Sequence, residues 1–540
     1  MTAVVEALCR WVAEDLGSDE LCTVPGEAFL PLLATAGDFG IRTVTTRHEA
    51  GAGFMAIASA RLTGRPGVVA VNRSPGGCNA AIAVDAAAAD PTPLLVVVGD
   101  IPSTADRATA FQGADLAGMF GALAEVIRLS PADLPAQLAR AAAVLLGPVP
   151  QPVVLLVPDD LWTAPALDPS PAGEVTGTDA AAAEAADLRS ALEAARRPVL
   201  VAGRLLRARH TDRSAGDAVA SLAEAAGLPV LTGNKVQDLL DNRHPHYAGH
   251  LHLGTPREVR GRLAEADLVV LLGEAPDEVH TSGWSGPRVH VVHPGKSSTR
   301  PRAVLDALAA TRWPAPSAER LDWVRGWREL ADRLAAPNPW HFDDGLDLTH
   351  VAAALDDELP PGAVITFDAG NFSSWVHRYV HAGPDRLMLA LGNGAMGFGV
   401  PAAVATTGRF PDRPVVAVVG DGGLLMTGDE LATAAARGRC PVVVVADNGG
   451  YGTIDQHARR QFPGRYCGTD LLTPDLVTWA AAFGVPGEVV DDPGAVRDAV
   501  RRAVASGRSG YLLHVRASLL AGHANTDHSN TANREPRAEP

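Results

Sequence analysis

The chain has 540 residues, with 54 glycines, 41 prolines, 47% hydrophobic and 20% charged residues; at about 150 residues per domain this is roughly three to four domains, which excludes a small stapled scaffold and a globally disordered chain. Its formal net charge of −16, from 46 basic against 62 acidic residues, disfavours a general nucleic-acid surface. Five scattered cysteines, Cys9, Cys22, Cys78, Cys440 and Cys467, contain no CxxC pair; they supply neither a disulfide framework nor a cysteine-rich zinc site and point to a reduced, cytoplasmic setting.

The N-terminus carries acids early and lacks a basic region followed by an apolar core, so no signal segment is expected. No apolar run reaches the ~18 residues of a membrane span, and no membrane partner is expected. Arg47-His48-Glu49-Ala50-Gly51-Ala52-Gly53 reads as a helix start, where an acid is favourable whatever else it does. A strand expected at 67–71 runs into Asn72-Arg73-Ser74-Pro75-Gly76-Gly77-Cys78-Asn79, read as a loop, with Cys78 a small packed side chain rather than a nucleophile. Further strands are expected at 94–98 and 153–157, with Phe111-Gln112-Gly113 between them. A Pro/Gly-rich stretch at 164–179 then reads as a linker.

Strands at 199–202, 268–272 and 289–292 build a middle block. His250 and His252 alternate without an obvious spaced third ligand, which does not support a metal there. A second linker at 311–320 and a break at 335–340 precede strands at 364–367, 415–419 and 442–446. Many of these runs are apolar on both faces, as parallel strands covered by helices are. The chain therefore reads as α/β throughout: three consecutive domains, 1–165, 180–320 and 340–525, with mainly parallel sheets flanked by helices. Residues 526–540 lack apolar periodicity and are expected to fray.

The sharpest segment spans 415–452. One strand ends in Gly420-Asp421-Gly422-Gly423, a helix is expected at about 428–437, and the next strand ends in Asp447-Asn448-Gly449-Gly450-Tyr451-Gly452. Open α/β sheets bind ligands at such strand ends. Asp421 offers a hard anionic oxygen, Asn448 a neutral one and Gly450 a backbone carbonyl, which suits magnesium, a cation that takes about six oxygens. Glycines at 422 and 423 would let the chain approach phosphate oxygens. The segment is not a Walker A loop, and no GxGxxG opens a βαβ unit.

Taken together, these segments resemble thiamine-diphosphate-dependent enzymes of the acetolactate synthase and 2-oxoacid decarboxylase type, over nearly the whole chain. The resemblance implies a pyrimidine-side first domain, a central α/β domain, and a third domain holding the diphosphate and Mg2+. It assigns Asp421, Asn448 and the Gly450 carbonyl to the metal. It assigns Glu49 to the aminopyrimidine N1′ as cofactor activator, in a segment like the family's RHE-x-GA. Cofactor contacts are implied for Gly370 and Asn371 (a DxG-like segment), for Gly394 and Met396 (a GxMGFG-like segment), and for Gly422, Gly423 and Tyr451. Asp447 stands where many members have Asn and is not assigned to the metal. Gln112 matches the Gln of an FQE segment whose Glu is here Gly113, and it is a catalytic candidate. Gln456 and His457 are substrate-side candidates. Arg73 and Ser74 depart from the family's SGPGxxN loop, which has Ser and Gly there.

Pyruvate-decarboxylase-type relatives carry adjacent histidines where this chain has Asp100-Ile101-Pro102-Ser103. The expected reaction is thus decarboxylation of a small-molecule 2-oxo acid with transfer of the acyl carbanion to a carbonyl acceptor. Aldehyde release, a carbon–carbon lyase or hydrolase, and a catalytically silent regulatory homologue remain open. The central domain carries no convincing signal for FAD, another nucleotide or coenzyme A. The resemblance further implies a homodimer or homotetramer with active sites between subunits.

Overall fold

The structure is a computed structural model that describes residues 2–166, 179–281, 288–293, 300–465 and 467–526. Residues 167–178 of the first linker and 527–540 of the tail lie outside the described residues. The chain divides into two compact units: Met1–Val175 with Leu391–Pro411 and Met426–Arg439, and Thr176–Ala390 with Asp412–Leu425 and Cys440–Pro540.

The first unit holds a six-stranded sheet in the order Arg42–Thr45, Glu20–Thr23, Gly67–Asn72, Leu94–Asp100, Val153–Pro158, Glu125–Arg128. Every pairing is parallel. The β-branched runs at 67, 94 and 153 become its central strands and are buried along nearly their whole length. The flanking strands Glu20–Thr23 and Arg42–Thr45 escape a reading of the sequence, because ELCT and RTVT mix polar and apolar residues. Helix Glu49–Thr63 is mainly apolar and is buried from Ala50 to Leu62, as a helix without a solvated polar face is; its one buried cation, Arg61, is paired with Asp90 at 2.8 Å. It packs on helices Arg73–Ala89 and Gly399–Arg409. Ion pairs from Arg409 to Asp19 and from Arg437 to Glu20 tie the two later segments into this unit.

The second unit holds two sheets. The middle one runs Tyr247–His250, Val230–Thr232, Pro198–Ala202, Leu268–Leu272, Arg288–Val292, again all parallel. Helix Ala318–Ala335, which starts inside the stretch read as the second linker, covers one face of that sheet: Trp323 and Trp327 join Val199, Val201, Val269 and Leu271 in a core. The other sheet runs Leu387–Leu389, Val364–Phe367, Val415–Gly420, Val442–Asp447, Tyr511–Arg516, Gly487–Val490. Numbered along the chain within each sheet, this order is the same as in the first unit.

Two local readings are corrected. The segment from Arg73 to Asn79 is not a loop but the start of helix Arg73–Ala89. The helix expected at 428–437 begins instead at Asp421, as Asp421–Thr427, a 3-10 turn Gly428–Glu430 and helix Leu431–Ala436. Tertiary burial of Leu424 and Leu431, both 0% exposed, overrides the poor helix propensity of the glycine pair. Among the described residues no helix is long and apolar enough to cross a membrane.

Candidate cofactor site

In the second unit, Val415–Gly420 and Val442–Asp447 are parallel neighbours with Gly420 opposite Ala446. Asp421 and Asn448 therefore leave adjacent strands at the same, carboxyl end of the sheet. Val364–Phe367 flanks Val415–Gly420 on its other side and leads into Asp368, Gly370 and Asn371. Asp421 and Asp447 are each 3% exposed. The Thr473 hydroxyl lies between them, 3.2 Å from Asp421 Oδ2 and 3.0 Å from Asp447 Oδ1. Burial, and then the neighbouring Asp447 charge, push the Asp421 carboxyl above the usual carboxylate range. Burial also raises Asp447, but hydrogen bonds from His514, the Gly449 amide and Thr473 outweigh it and hold that carboxyl low. His514 Nε2 is 2.6 Å from Asp447 Oδ2, and Arg516 bonds the same oxygen. Asp447 is thus taken up by protein partners.

Asn448 is different. Its Oδ1 is buried with no hydrogen-bond partner among the described residues, a costly arrangement for an acceptor unless a cation or a ligand's donor engages it. The Gly450 carbonyl takes the Gly452 amide at 2.9 Å, leaving it a second lone pair. One carboxylate, one orphaned amide oxygen and one carbonyl form an oxygen donor set that fits a hard divalent cation. Among the described residues no group of three or more His, Cys, Asp or Glu side chains gathers to hold a metal, so the fit rests on this mixed set. A Cβ at 422 would lie 2.8 Å from the Tyr451 ring, and one at 423 would lie 2.3 Å from Asp368 Oδ2. A side chain at either position would have to displace Tyr451 or Asp368, so packing within the protein already favours glycine there. The Asn371 amide donates to Thr453 Oγ1 at 3.0 Å and its Nδ2 to Gln456 Oε1 at 2.8 Å. This joins the strand-end loop to helix Gly452–Gln461; His457 on that helix pairs with Arg460.

The other candidates lie in the first unit. Glu49 is the first residue of helix Glu49–Thr63, and His48 caps it: the ring Nδ1 accepts the Ala50 amide at 3.1 Å. Glu49 is half-buried, and its Oε2 accepts Asn79 Nδ2 at 2.9 Å. The sequence marks Asn79 only as the end of a loop; as the seventh residue of a helix it reaches Glu49 across 30 positions. Gln112 has a left-handed backbone with φ 57°, and its Oε1 accepts Asn72 Nδ2 at 3.3 Å. Arg73, also left-handed at φ 46°, is bound by Asp159 at 3.0 Å. The departure from the family loop is therefore an internal ion pair. Gly394 and Met396 lie on a segment held by the Thr427 hydroxyl on the Gly397 carbonyl at 2.6 Å. Cys78 is exposed, with Met119 Sδ 3.8 Å from its Sγ, and is not the packed side chain expected; the helix turns residues 78, 79, 82 and 85 outward. The structure thus gathers Glu49, Gln112, Gly394 and Met396 in one unit. It gathers Gly370, Asn371, Asp421, Gly422, Gly423, Asn448, Gly450 and Tyr451 in the other.

Comparison with known proteins decides what this combination is. Residues 2–119 match the thiamine pyrophosphate enzyme N-terminal TPP binding domain, 185–296 its central domain and 368–515 its C-terminal TPP binding domain. The chain belongs to the thiamine pyrophosphate enzyme family. Within it, the type is that of acetolactate synthases and 2-oxoacid decarboxylases. The chain is 30% identical to an acetolactate synthase large subunit of Parasynechococcus marenigrum, over 91% of this chain and 83% of that one. It is 28% identical to the acetolactate synthase isozyme 2 large subunit of Escherichia coli, over 94% of each. It is 34% identical to a probable 2-ketoarginine decarboxylase, AruI, of Pseudomonas aeruginosa, over 82% of this chain and 81% of that one.

Proposed function

We propose that this protein decarboxylates a 2-oxo acid with thiamine diphosphate and Mg2+ and transfers the acyl fragment to a carbonyl acceptor. The observation that carries the cofactor reading is the buried, unpartnered Asn448 Oδ1 beside Asp421 at adjacent strand ends. When bound, thiamine diphosphate supplies the nucleophilic carbon and the electron sink. Asp421, Asn448 Oδ1 and the Gly450 carbonyl would hold the magnesium that carries the diphosphate. Gly370, Asn371, Gly422, Gly423 and Tyr451 would line the diphosphate, and Gly394 and Met396 the ring side. Glu49 shares a proton with the aminopyrimidine nitrogen, one of its carboxylate oxygens being fixed by Asn79. Gln112 offers its side-chain NH2 to the substrate while its Oε1 stays on Asn72.

Carboligation is favoured over aldehyde release by the residues at the carboxyl end of strand Leu94–Asp100. Asp100 is buried and engaged by Arg107 and Arg128. The next residues are Ile101, Pro102 and Ser103, with no imidazole to protonate a departing product. Aldehyde release is the second reading, favoured by the relative named a probable 2-ketoarginine decarboxylase. We take the working unit to be at least a homodimer, with the first domain of one subunit completing the third domain of another. The test is product analysis on a panel of 2-oxo acids, including a guanidino-bearing one, with and without acceptor 2-oxo acids or aldehydes. Acyloin or 2-hydroxy-2-acyl acid formed only with acceptor supports the proposal. Aldehyde formed regardless of acceptor supports the second reading, and no carbon dioxide from any substrate overturns both.

A further inference from the structure

Glu430 is 0% exposed, and among the described residues no arginine, lysine or histidine pairs with it. Burying a carboxyl group without a cation is expensive unless hydrogen bonds replace its water. Here they come from an unusual place. Oε1 accepts both the Arg47 amide at 2.9 Å and the His48 amide at 3.1 Å, more than 380 residues away in the chain. Oε2 accepts the Thr433 hydroxyl at 2.5 Å. A Cβ at position 51 would lie 2.4 Å from Oε1, so only glycine there lets the carboxyl group lie against the first turn of helix Glu49–Thr63.

The two amides that Glu430 holds precede that helix and belong to no ladder within it. Downstream, the path is set by the His48 cap and by the Ala52 amide on the His48 carbonyl at 2.9 Å. The backbone is therefore pinned on both sides of Glu49: at residues 47 and 48 by Glu430, and from residue 50 onward by the helix. The direction of the Glu49 side chain is set by that backbone, and Asn79 then fixes one of its oxygens.

We propose that Glu430 is a positioning residue for Glu49, acting through the backbone of Arg47 and His48. The inference rests on the activator reading of Glu49. Misplacing a reacting group by about 1 Å can cost about 10²-fold in rate, so Glu430→Ala is expected to slow hydrogen–deuterium exchange at C2 of bound thiamine diphosphate by roughly 10–100-fold. Affinity for thiamine diphosphate with magnesium is expected to change by less than about 3-fold, within the usual scatter for single contacts. Glu430→Gln keeps an acceptor for the two amides and restores fast exchange. Adding Glu430→Ala to Glu49→Gln slows exchange no further than Glu49→Gln alone. In the cofactor-free protein, amide hydrogen exchange at residues 47 and 48 rises in Glu430→Ala and not in Glu430→Gln. If Glu430→Ala does not fold, Glu430→Asp, which withdraws the carboxyl group by one methylene, takes its place in every arm. Slow C2 exchange in Glu49→Gln with wild-type exchange in the Glu430 variants overturns the positioning role alone. Additive slowing in the double variant also overturns it. Wild-type exchange in Glu49→Gln overturns the activator reading and this inference with it.

Discussion

The roles proposed for Glu49 and Asn448 turn on which of their oxygens the neighbouring residues leave free. Glu49 has a partner for one oxygen in Asn79, whereas Asn448 Oδ1 has none among the described residues. Glu49→Gln should leave thiamine diphosphate and magnesium bound but slow C2 exchange by about 10²–10⁴-fold, the usual cost of losing a positioned proton-transfer group; exchange measured by NMR at saturating magnesium checks this. Asp421→Ala should act on binding instead. Losing a neighbour of a metal ligand already costs about 10–100-fold in affinity, so losing the ligand should cost at least that in magnesium titrations by calorimetry. Unchanged affinity would remove Asp421 from the metal. Asp421, Asn448 and Glu49 can be picked out in the sequence because each sits in a short glycine-rich segment at an element's end. Asn79, Thr473 and Glu430 cannot, since each acts on a group 26 to 383 positions away and carries no local signal.

At the scale of elements, apolar β-branched runs are readable because burial on both faces demands them, and each strand expected from such a run lies within two residues of its observed ends. Short mixed strands such as Arg42–Thr45, and helix Asp421–Thr427 with its glycine pair, depend on neighbours that no local window contains. The junction around strand Tyr247–His250 and helix Ser373–Tyr379 carries its own consequence. His250 and His377 are buried, their ring centres 4.9 Å apart. His252, His523, Arg378 and Lys235 surround them, with Lys235 Nζ 2.8 Å from His377 Nε2. Burial first, and then the Lys235 charge, push His250 down to about 3 and His377 well below its usual value. Both values are lower in the folded state than the unfolded ~6.5. The stability they contribute is therefore complete above about pH 6.5 and is lost as pH falls through it, at up to about 1.4 kcal/mol per residue per pH unit. Urea unfolding midpoints should accordingly fall between pH 7.5 and 5.5. His250→Phe should flatten the dependence; an unaltered slope would show that this histidine does not titrate on unfolding.

For the whole molecule, the shared strand order of the first and third sheets is a repeat that the amino-acid sequence hides. Topology is set by which strands pair, and many apolar sequences satisfy the same pairing. The proposed assembly, with first and third domains from different subunits, makes a sharp prediction about mixtures. Glu49→Gln and Asp421→Ala are each expected to be nearly inactive alone. In a mixed dimer, one site collects both defects and the other collects none, so activity should return on mixing after dissociation and reassociation; no recovery would place both residues of a site in one chain. The outward turn of Cys78 provides a way to watch that assembly without turnover. Cys9, Cys22 and Cys440 are buried, and burial pushes their thiols up, Cys9 to about 12. Only Cys78 and Cys467 are left open to a maleimide dye. Cys78 is next to Asn79, the partner of Glu49, so the proposed subunit contact, if it covers that helix face, would lower dye uptake at Cys78 relative to Cys467. The ratio of dye on the two peptides then becomes a concentration-dependent gauge of subunit association, read in the native protein without an introduced label site.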